Sequence, residues 1–425
     1  MTGIVSYATY LPSHRLRGSR VVASFDEDST TLGVAAAQAA LGDRSADALY
    51  FASTTPAYLD KTNATAIHAA LGLPPATFAA DVAGSARSAV AAFRSASASD
   101  GMAVLSDVRV GRAGSSDEKD GADAAAAFLF GSGDTIADIV GYACATAEFL
   151  DRWRAPGGVG AQWEERFGFE EYRPLIESVR GQVGIGNPDH VVVVSPNTAV
   201  RKWAARTYTT SPIGHAGAAD LGIALAHVLD TAQPGETILL ISAADGVDVF
   251  ALRVTARVRR QRIPVLQQLA AGAEVDHLTY LTWRGLIEQE PPRRPEPDRV
   301  AAPPAARDRD WKFGFTASCC AACSFVHLPP VRACKNCGAV DQMTAQPRRG
   351  AAGSVATFTV DWLAYSPAPP VVGAVVDFDG GGRYTLELAD GGADRIAVGS
   401  RVGLTFRRLH SAGSVHNYFW KAKLL

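Results

Sequence analysis

Over the first 258 residues, short β-branched or apolar runs alternate with alanine-rich amphipathic stretches. A period of two sends successive side chains to opposite faces of a strand, and a period near 3.6 lines one face of a helix. The pattern predicts strands at Ala48–Ser53, Phe78–Val82, Met102–Ser106, Ala125–Phe130, His190–Ser195, Thr237–Ser242 and Val249–Thr255. It predicts helices at Thr30–Leu41, Asn63–Leu71, Ser85–Ser97 and Gly217–Leu229. Strands and helices in this alternation form α/β layers. The order of features in 1–135 recurs loosely in 136–258, each half ending in a glycine-flanked strand, which predicts a duplicated α/β unit.

Beyond that region the pattern changes. Ile263–Gln289 reads as helix, with Leu278, Leu281 and Trp283 along it, and Pro291–Arg307 is too rich in proline, arginine and alanine to build a core. Residues 259–308 are therefore expected to be a helical segment followed by a semi-rigid linker. Residues 309–348 hold a cysteine cluster, and 349–425 alternate apolar and polar positions between glycine-rich turns, as in Ser354–Val360, Val371–Phe378, Arg383–Leu388 and Val402–Arg408. That spacing predicts a small β-barrel.

A chain of 425 residues with 47% hydrophobic content has room for two or three cores. No segment approaches eighteen consecutive apolar residues, and the N-terminus lacks a basic run followed by an apolar stretch. Neither a membrane span nor a signal peptide is expected, and a cytoplasmic location follows. With 41 basic against 43 acidic residues the net charge is −2, so there is no broad attraction for a polyanion and nucleic acid is not an expected partner.

Five of the six cysteines lie between positions 319 and 337. Cys320-x-x-Cys323 and Cys334-x-x-Cys337 are two knuckles ten residues apart, and four thiolates so spaced close tetrahedrally around zinc. Four protein ligands leave no open coordination position, so the metal is expected to be structural. Gly338 after the second knuckle and Pro329-Pro330 between the knuckles suit a ribbon of tight turns. Cys319 is expected to be a spare thiol, with exchange for Cys320 as the alternative, and His327 to be exposed and not a ligand. A redox dithiol would have no use for a second pair.

Three stretches of the large domain carry candidate chemistry. Asp81-Val82-Ala83-Gly84-Ser85-Ala86-Arg87-Ser88 follows a strand and opens a helix, a turn that often presents a nucleophile. Ser85 reads either as a helix N-cap or as an unusual nucleophile, with Ser88 as a second hydroxyl. In Ser211-Pro212-Ile213-Gly214-His215-Ala216-Gly217, small residues admit a ligand to the backbone and His215 is the candidate general acid/base or oxyanion donor. The loop with Asp245 and Gly246 is a candidate lining of the same cleft. The charged run from Asp107 and Arg109 to Asp120 reads as a solvated surface. So do Glu148, Asp151, Arg152 and Arg154, although an arginine there has the chemistry to meet phosphates.

Gly3-Ile4-Val5-Ser6-Tyr7, Tyr10-Leu11-Pro12, Ala52-Ser53-Thr54-Thr55, Ile67-His68-Ala69-Ala70-Leu71-Gly72, the Asp81 turn and the Gly214–Ala219 loop together resemble the thiolase superfamily. Within it they are similar to hydroxymethylglutaryl-CoA synthases and β-ketoacyl-ACP synthase III enzymes. The cysteine knuckles with the barrel-like tail resemble the zinc-ribbon plus OB-fold domains that accompany acyl-CoA enzymes. The resemblance implies a duplicated five-layered α/β fold, a homodimer, and a coenzyme A or acyl-carrier thioester as substrate. It also implies a cysteine nucleophile on the turn, a histidine in the second half, an asparagine in the glycine-rich loop and, in the hydroxymethylglutaryl-CoA synthases, a glutamate. Here those positions align with Ala86, with Ser195 or Pro196 ahead of Asn197, with His215 and with Thr54.

Three readings follow from the departures. The chain is an aldol-type or retro-aldol-type carbon–carbon bond enzyme working without covalent acylation, a synthase using Ser85 or Ser88, or a non-catalytic acyl-CoA-binding subunit for a partner thiolase. A fourth makes the ribbon and barrel a nucleic-acid module. It would rest on Arg401, Phe406, Arg407 and Arg408, which Asp377, Asp379, Glu387 and Asp390 oppose.

Overall fold

A computed structural model describes residues 2–155 and 158–425. The chain divides into two compact units, one of Met1–Ala23, Asp28–Thr65 and Pro74–Leu286, the other of Ser24–Glu27, Ala66–Leu73 and Ile287–Leu425.

The first unit is a mixed α/β domain. Its strands are β1 (Gly3–Tyr10), β2 (Ala48–Ser53), β3 (Phe78–Ala83), β4 (Met102–Asp107), β5 (Ala124–Gly131), β6 (Ala137–Thr146), β7 (His190–Val194), β8 (Thr237–Ala243) and β9 (Gly246–Val254). Its principal helices are α1 (Ser29–Leu41), α2 (Ser88–Ala98), α3 (Glu165–Arg180), α4 (Thr198–Ala204) and α5 (Ala219–Leu229). The strands form one sheet in the order β7-β8-β9-β6-β1-β5-β4-β2-β3. Strands β1 and β6 pair only at Gly3–Asp138 and Ile4–Ala137, so a short seam joins the two sheet halves.

Side-chain alternation explains the layering. On β8, Ile238 and Leu240 face one core with α2 and α5, while Leu239 and Ile241 face another with α3 and α4. The first core is shared by both sheet halves: the ring of Phe93 on α2 lies 5.5 Å from Phe128 on β5 and 5.1 Å from Phe250 on β9. Helix α1 covers β1, β4 and β5. Asp28 caps it reciprocally, accepting from Thr31 N at 3.0 Å while its own amide donates to Thr31 Oγ1 at 2.9 Å.

Two elements differ from the sequence expectation. Ile263–Gln289 is not one helix but Val265–Ala270 and His277–Trp283, separated by the short strand Ala273–Glu274. The buried guanidinium of Arg15 donates to the carbonyls of Gln268 and Leu269 and so closes the first helix. A side chain at Gly272 would collide with that guanidinium. Asp276 then caps the second helix through Thr279 N at 3.0 Å. Helix α3, absent from the sequence reading, is polar almost all round and buries only Gly168, Tyr172, Ile176 and Val179, a single narrow stripe.

The second unit begins with β10 (Thr316–Cys320), β11 (Val326–His327) and β12 (Met343–Pro347), in the order β11-β10-β12. It continues with β13 (Gly353–Asp361), β14 (Val371–Phe378), β15 (Arg383–Glu387), β16 (Arg401–Ala412) and β17 (Val415–Leu424), a sheet ordered β15-β14-β13-β16-β17. A bridge from Leu388 to Ala422 brings the two outer strands together. The linker Pro291–Arg307 contains the short helix Ala302–Arg307, none of whose residues is buried.

Among the described residues, no helix is long and apolar enough to cross a membrane. The basic side chains weighed for nucleic acid are largely neutralised. Arg407 is fully buried among Asp26 at 3.3 Å, Glu27 at 2.6 Å and Asp390 at 2.7 Å, and Arg401 pairs with Asp379.

Candidate functional site

In the first unit, the turn before α2, the turn after β7, the loop before α5 and the β8–β9 hairpin meet at a small, half-open cavity. It is lined by Ala86, Val194, Ser195, Pro196, His215, Gly217, Asp220, Leu221, Ser242 and Ala244. Each element is held there by specific contacts. Arg87, one residue past Ala86, donates to the Asp245 carbonyl at 2.7 Å and pairs with Asp248 at 2.9 Å, tying the turn to the hairpin. Ser195 Oγ donates to Ala243 O at 2.7 Å, tying the turn after β7 to the same hairpin.

The loop carrying His215 is positioned by Asp107 at the end of β4, which is completely buried. Its carboxylate accepts from the hydroxyls of Ser53, Thr54 and Thr55, each at 2.8 Å, and from Ala218 N at 2.6 Å. Gly217, at φ +59, leaves room for this carboxylate, since a Cβ there would overlap Asp107 Oδ2. On the other side, His215 N donates to Asp120 O at 2.9 Å and Ala122 N donates to His215 O at 3.0 Å. The charged run from Asp107 to Asp120 is thus only partly a solvated surface, exposed at Arg112, Lys119 and Asp120. Asp107 is buried because it organises this loop, Glu118 is buried against Gly114 N and His277, and Arg109 is largely covered.

His215 is the chemically distinctive group. It is 4% exposed, and its Nδ1 lies 3.5 Å from Asp220 Oδ2, long for a hydrogen bond. Neither Nδ1 nor Asp220 Oδ1 has a hydrogen-bond partner. Burial pushes the imidazole pKa down to about 4, opposed by Asp220 and reinforced by the guanidinium charges of Arg109 and Arg201. The ring is therefore neutral at neutral pH, with a free lone pair but, through burial, a lowered affinity for the proton.

The other sequence candidates fall in several places. Ser85 is exposed, its Oγ accepting from Arg87 N at 3.3 Å, and Ser88 is buried in the first turn of α2; neither lines the cavity. Thr54 is bound to Asp107 and accepts from Arg109 Nη1 at 2.9 Å. Asn197 is the N-cap of α4, accepting from Val200 N at 3.0 Å and donating to Asp151 Oδ1 at 2.9 Å. Gly214 lies against Asp120 O at φ +88. Asp245 and Gly246 form the hairpin turn, where Ala244 rather than either of them lines the cavity. Cys144 sits on β6 opposite Asp248, exposed and outside the lining. Asp220 escaped the sequence reading, and Asp107 entered it only as part of a solvated charged run. The only hint of Asp220 was its place five residues after His215.

No family model matches the sequence. The chain is 26% identical over 344 residues to the hydroxymethylglutaryl-CoA synthase of Thermoplasma acidophilum, covering 68% of this chain and 98% of that protein. It is 28% identical over 323 residues to the enzyme of that name from Methanopyrus kandleri, covering 63% and 92%. Its homologues are hydroxymethylglutaryl-CoA synthases. Among solved structures it is similar to an HMG-CoA synthase from Bacillus subtilis, with TM-score 0.57, 18% identity and coverage of 67% of this chain and 89% of the other. It is also similar to 3-oxoacyl-(acyl carrier protein) synthase III from Pseudomonas aeruginosa, with TM-score 0.53, 19% identity and coverage of 61% and 99%. The fold of these neighbours is the thiolase-like mixed α/β fold described above.

The second unit holds a candidate metal centre. The sulfurs of Cys320, Cys323, Cys334 and Cys337 all lie within 4.8 Å of one another, with Cys320–Cys337 and Cys323–Cys334 at 3.6 Å. A tetrahedron with metal–sulfur bonds of ~2.3 Å needs sulfurs roughly 3.8 Å apart, so the group fits such an ion. Asn336 Nδ2 donates to Cys323 Sγ at 3.5 Å and is the first cause holding that thiol down to about 6. His327 is buried, not exposed as the sequence suggested, because its Nε2 packs 3.4 Å from Cys334 Sγ.

Proposed function

We propose that the protein forms or cleaves a carbon–carbon bond in an acyl thioester of coenzyme A or an acyl carrier, without passing its acyl group to a protein side chain. The homologues are condensing enzymes by name, which supports the acyl-thioester class. The observation that carries the non-covalent reading is a neutral, buried His215 sharing a cavity with Ala86, the residue at the turn where the resemblance would put a thiol.

In the cleaving direction, the His215 imidazole takes the proton of a β-hydroxyl. The Cα–Cβ bond then breaks as the β-carbonyl forms, and its electron pair enters the thioester enolate. The imidazolium returns the proton to Cα. Condensation is the reverse. Asp220 offsets part of the cost of the imidazolium.

A structural zinc at the four cysteines, an OB-type barrel and a homodimer complete the reading. The sulfur geometry supports the first and the Leu388–Ala422 bridge the second. The third is supported by β3, which lies at the sheet edge with Phe78 58% exposed.

The test is turnover of 3-hydroxyacyl-CoA and acyl-CoA plus carbonyl acceptors by the wild type and by His215→Ala, Ser85→Ala and Ser88→Ala. Loss only in His215→Ala is expected. Loss in Ser85→Ala would favour a serine nucleophile instead.

A further inference from the structure

Near the His215 loop, four guanidinium groups gather from distant parts of the first unit. Arg109 follows β4, Arg152 and Arg154 lie on and just after the short strand Arg152–Trp153, and Arg201 is on α4. Arg109 and Arg152 reach Asp117 Oδ1, and Arg109 and Arg154 hold Thr54 by its hydroxyl and its carbonyl. Arg201 differs from these in bonding to residues that line the cavity. Its Nη1 donates to the carbonyls of Ser195 at 3.3 Å and Pro196 at 3.1 Å. Its Nη2 donates to Thr198 Oγ1 at 3.2 Å and lies 3.7 Å from Asp120 Oδ2. A guanidinium carries five donors in a fixed fork, so one side chain can serve all of these acceptors.

Asp120 belongs to the other wall. Its carbonyl accepts from His215 N at 2.9 Å, and Gly121 bridges to His215. A Cβ at Gly214 would lie 2.6 Å from the same carbonyl, so the chain before His215 is pressed against Asp120. Asp120 therefore meets the His215 loop through its backbone and Arg201 through its carboxylate. The Ser195 hydroxyl ties its turn to Ala243 on the hairpin, not to the His215 loop. The Asp120 side chain is 47% exposed, and an ion pair so open contributes little to folding, which leaves geometry as its main effect.

We infer that, for the carbon–carbon bond reaction proposed above, on which this rests, Arg201 acting through Asp120 is a positioning residue that sets the distance between the Ser195–Pro196 wall and the His215 imidazole. It acts on His215 without touching the substrate. Its charge has a second consequence: together with Arg109 it opposes protonation of His215, which Asp220 favours.

The experiment compares the full chain as wild type, Arg201→Gln, Arg201→Lys, Asp120→Asn and the double variant Arg201→Gln/Asp120→Asn, with 3-hydroxyacyl-CoA and with acyl-CoA plus carbonyl acceptors. In Arg201→Gln, kcat is expected to fall roughly ten- to a hundred-fold with KM little changed, as when a reacting group is misplaced by about 1 Å. Asp120→Asn should lose part of kcat, and the double variant no more than Arg201→Gln, because both changes break one link. Arg201→Lys should recover part. An NMR titration of His215, which needs no substrate, should give a higher pKa in Arg201→Gln and a value near the wild type in Arg201→Lys. Unchanged kcat in Arg201→Gln, or losses that add in the double variant, would overturn the inference. So would variants that melt earlier but keep the wild-type kcat and titration, which would make Arg201 a structural residue only. A wild type that turns over no thioester would sink the carbon–carbon reading, and the titration would still decide whether Arg201 acts on His215: a pKa unmoved in Arg201→Gln would overturn that as well.

Discussion

The ionisation of His215 can be tested apart from any assumption about substrate. Its pKa is pushed from an ordinary 6.5 to about 4. In the unfolded chain the imidazole titrates near ~6.5, so between the two values the unfolded state holds more protons than the folded one. Stability from this residue is therefore fully present above the unfolded value and is lost as pH falls towards the folded one. At pH 5.5 an ordinary histidine is about nine-tenths charged and one of pKa 4 only about 3%. Two and a half units at ~1.4 kcal/mol each make the full effect roughly 3 kcal/mol. His215→Asn removes the titrating group, so the urea-unfolding free energy of the wild type relative to the variant should decline from pH 7 to pH 4.5 by up to that amount. An NMR titration of the imidazole should show no protonation at pH 6. A difference between the two proteins that stays constant with pH, or a ring titrating near 6.5, would refute the argument that burial outweighs Asp220.

Other expectations follow from named contacts. Ala86→Cys places a thiol in the cavity beside a neutral imidazole, and mass spectrometry should show it acylated by acetyl-CoA; an unmodified variant would mean that the turn does not face the thioester. Arg407→Ala leaves Asp26, Glu27 and Asp390 without their central buried cation and should cost about 3–5 kcal/mol in urea unfolding, whereas a loss near zero would contradict the ion network. Metal analysis should find one zinc per chain, lost in Cys334→Ser together with several degrees of melting temperature; a metal-free wild type of equal stability would remove the structural role.

Local signals made much of this molecule readable. The β-branched run His190–Val194 and the alanine-rich Ala219–Leu229 declare themselves by period, and the two cysteine knuckles by spacing. What tertiary packing decides was not readable. Asp107 looks like any charged loop residue until Ser53, Thr54, Thr55 and Ala218 converge on it. His327 is buried by a thiol seven residues away, which periodicity does not foretell. The arginine group draws on positions 109, 152, 154 and 201, and no window of sequence contains them together. Arg15 ends a helix more than 250 residues later in the chain, so the stretch 263–289 read as continuous when a distant side chain breaks it.

The most direct test of non-covalent catalysis is the intact mass of the protein during turnover. With acetyl-CoA and acetoacetyl-CoA present and product accumulating, the wild type should keep its unmodified mass, and His215→Ala should form no product. A single acyl adduct that appears in the wild type and disappears in Ser85→Ala would contradict the account.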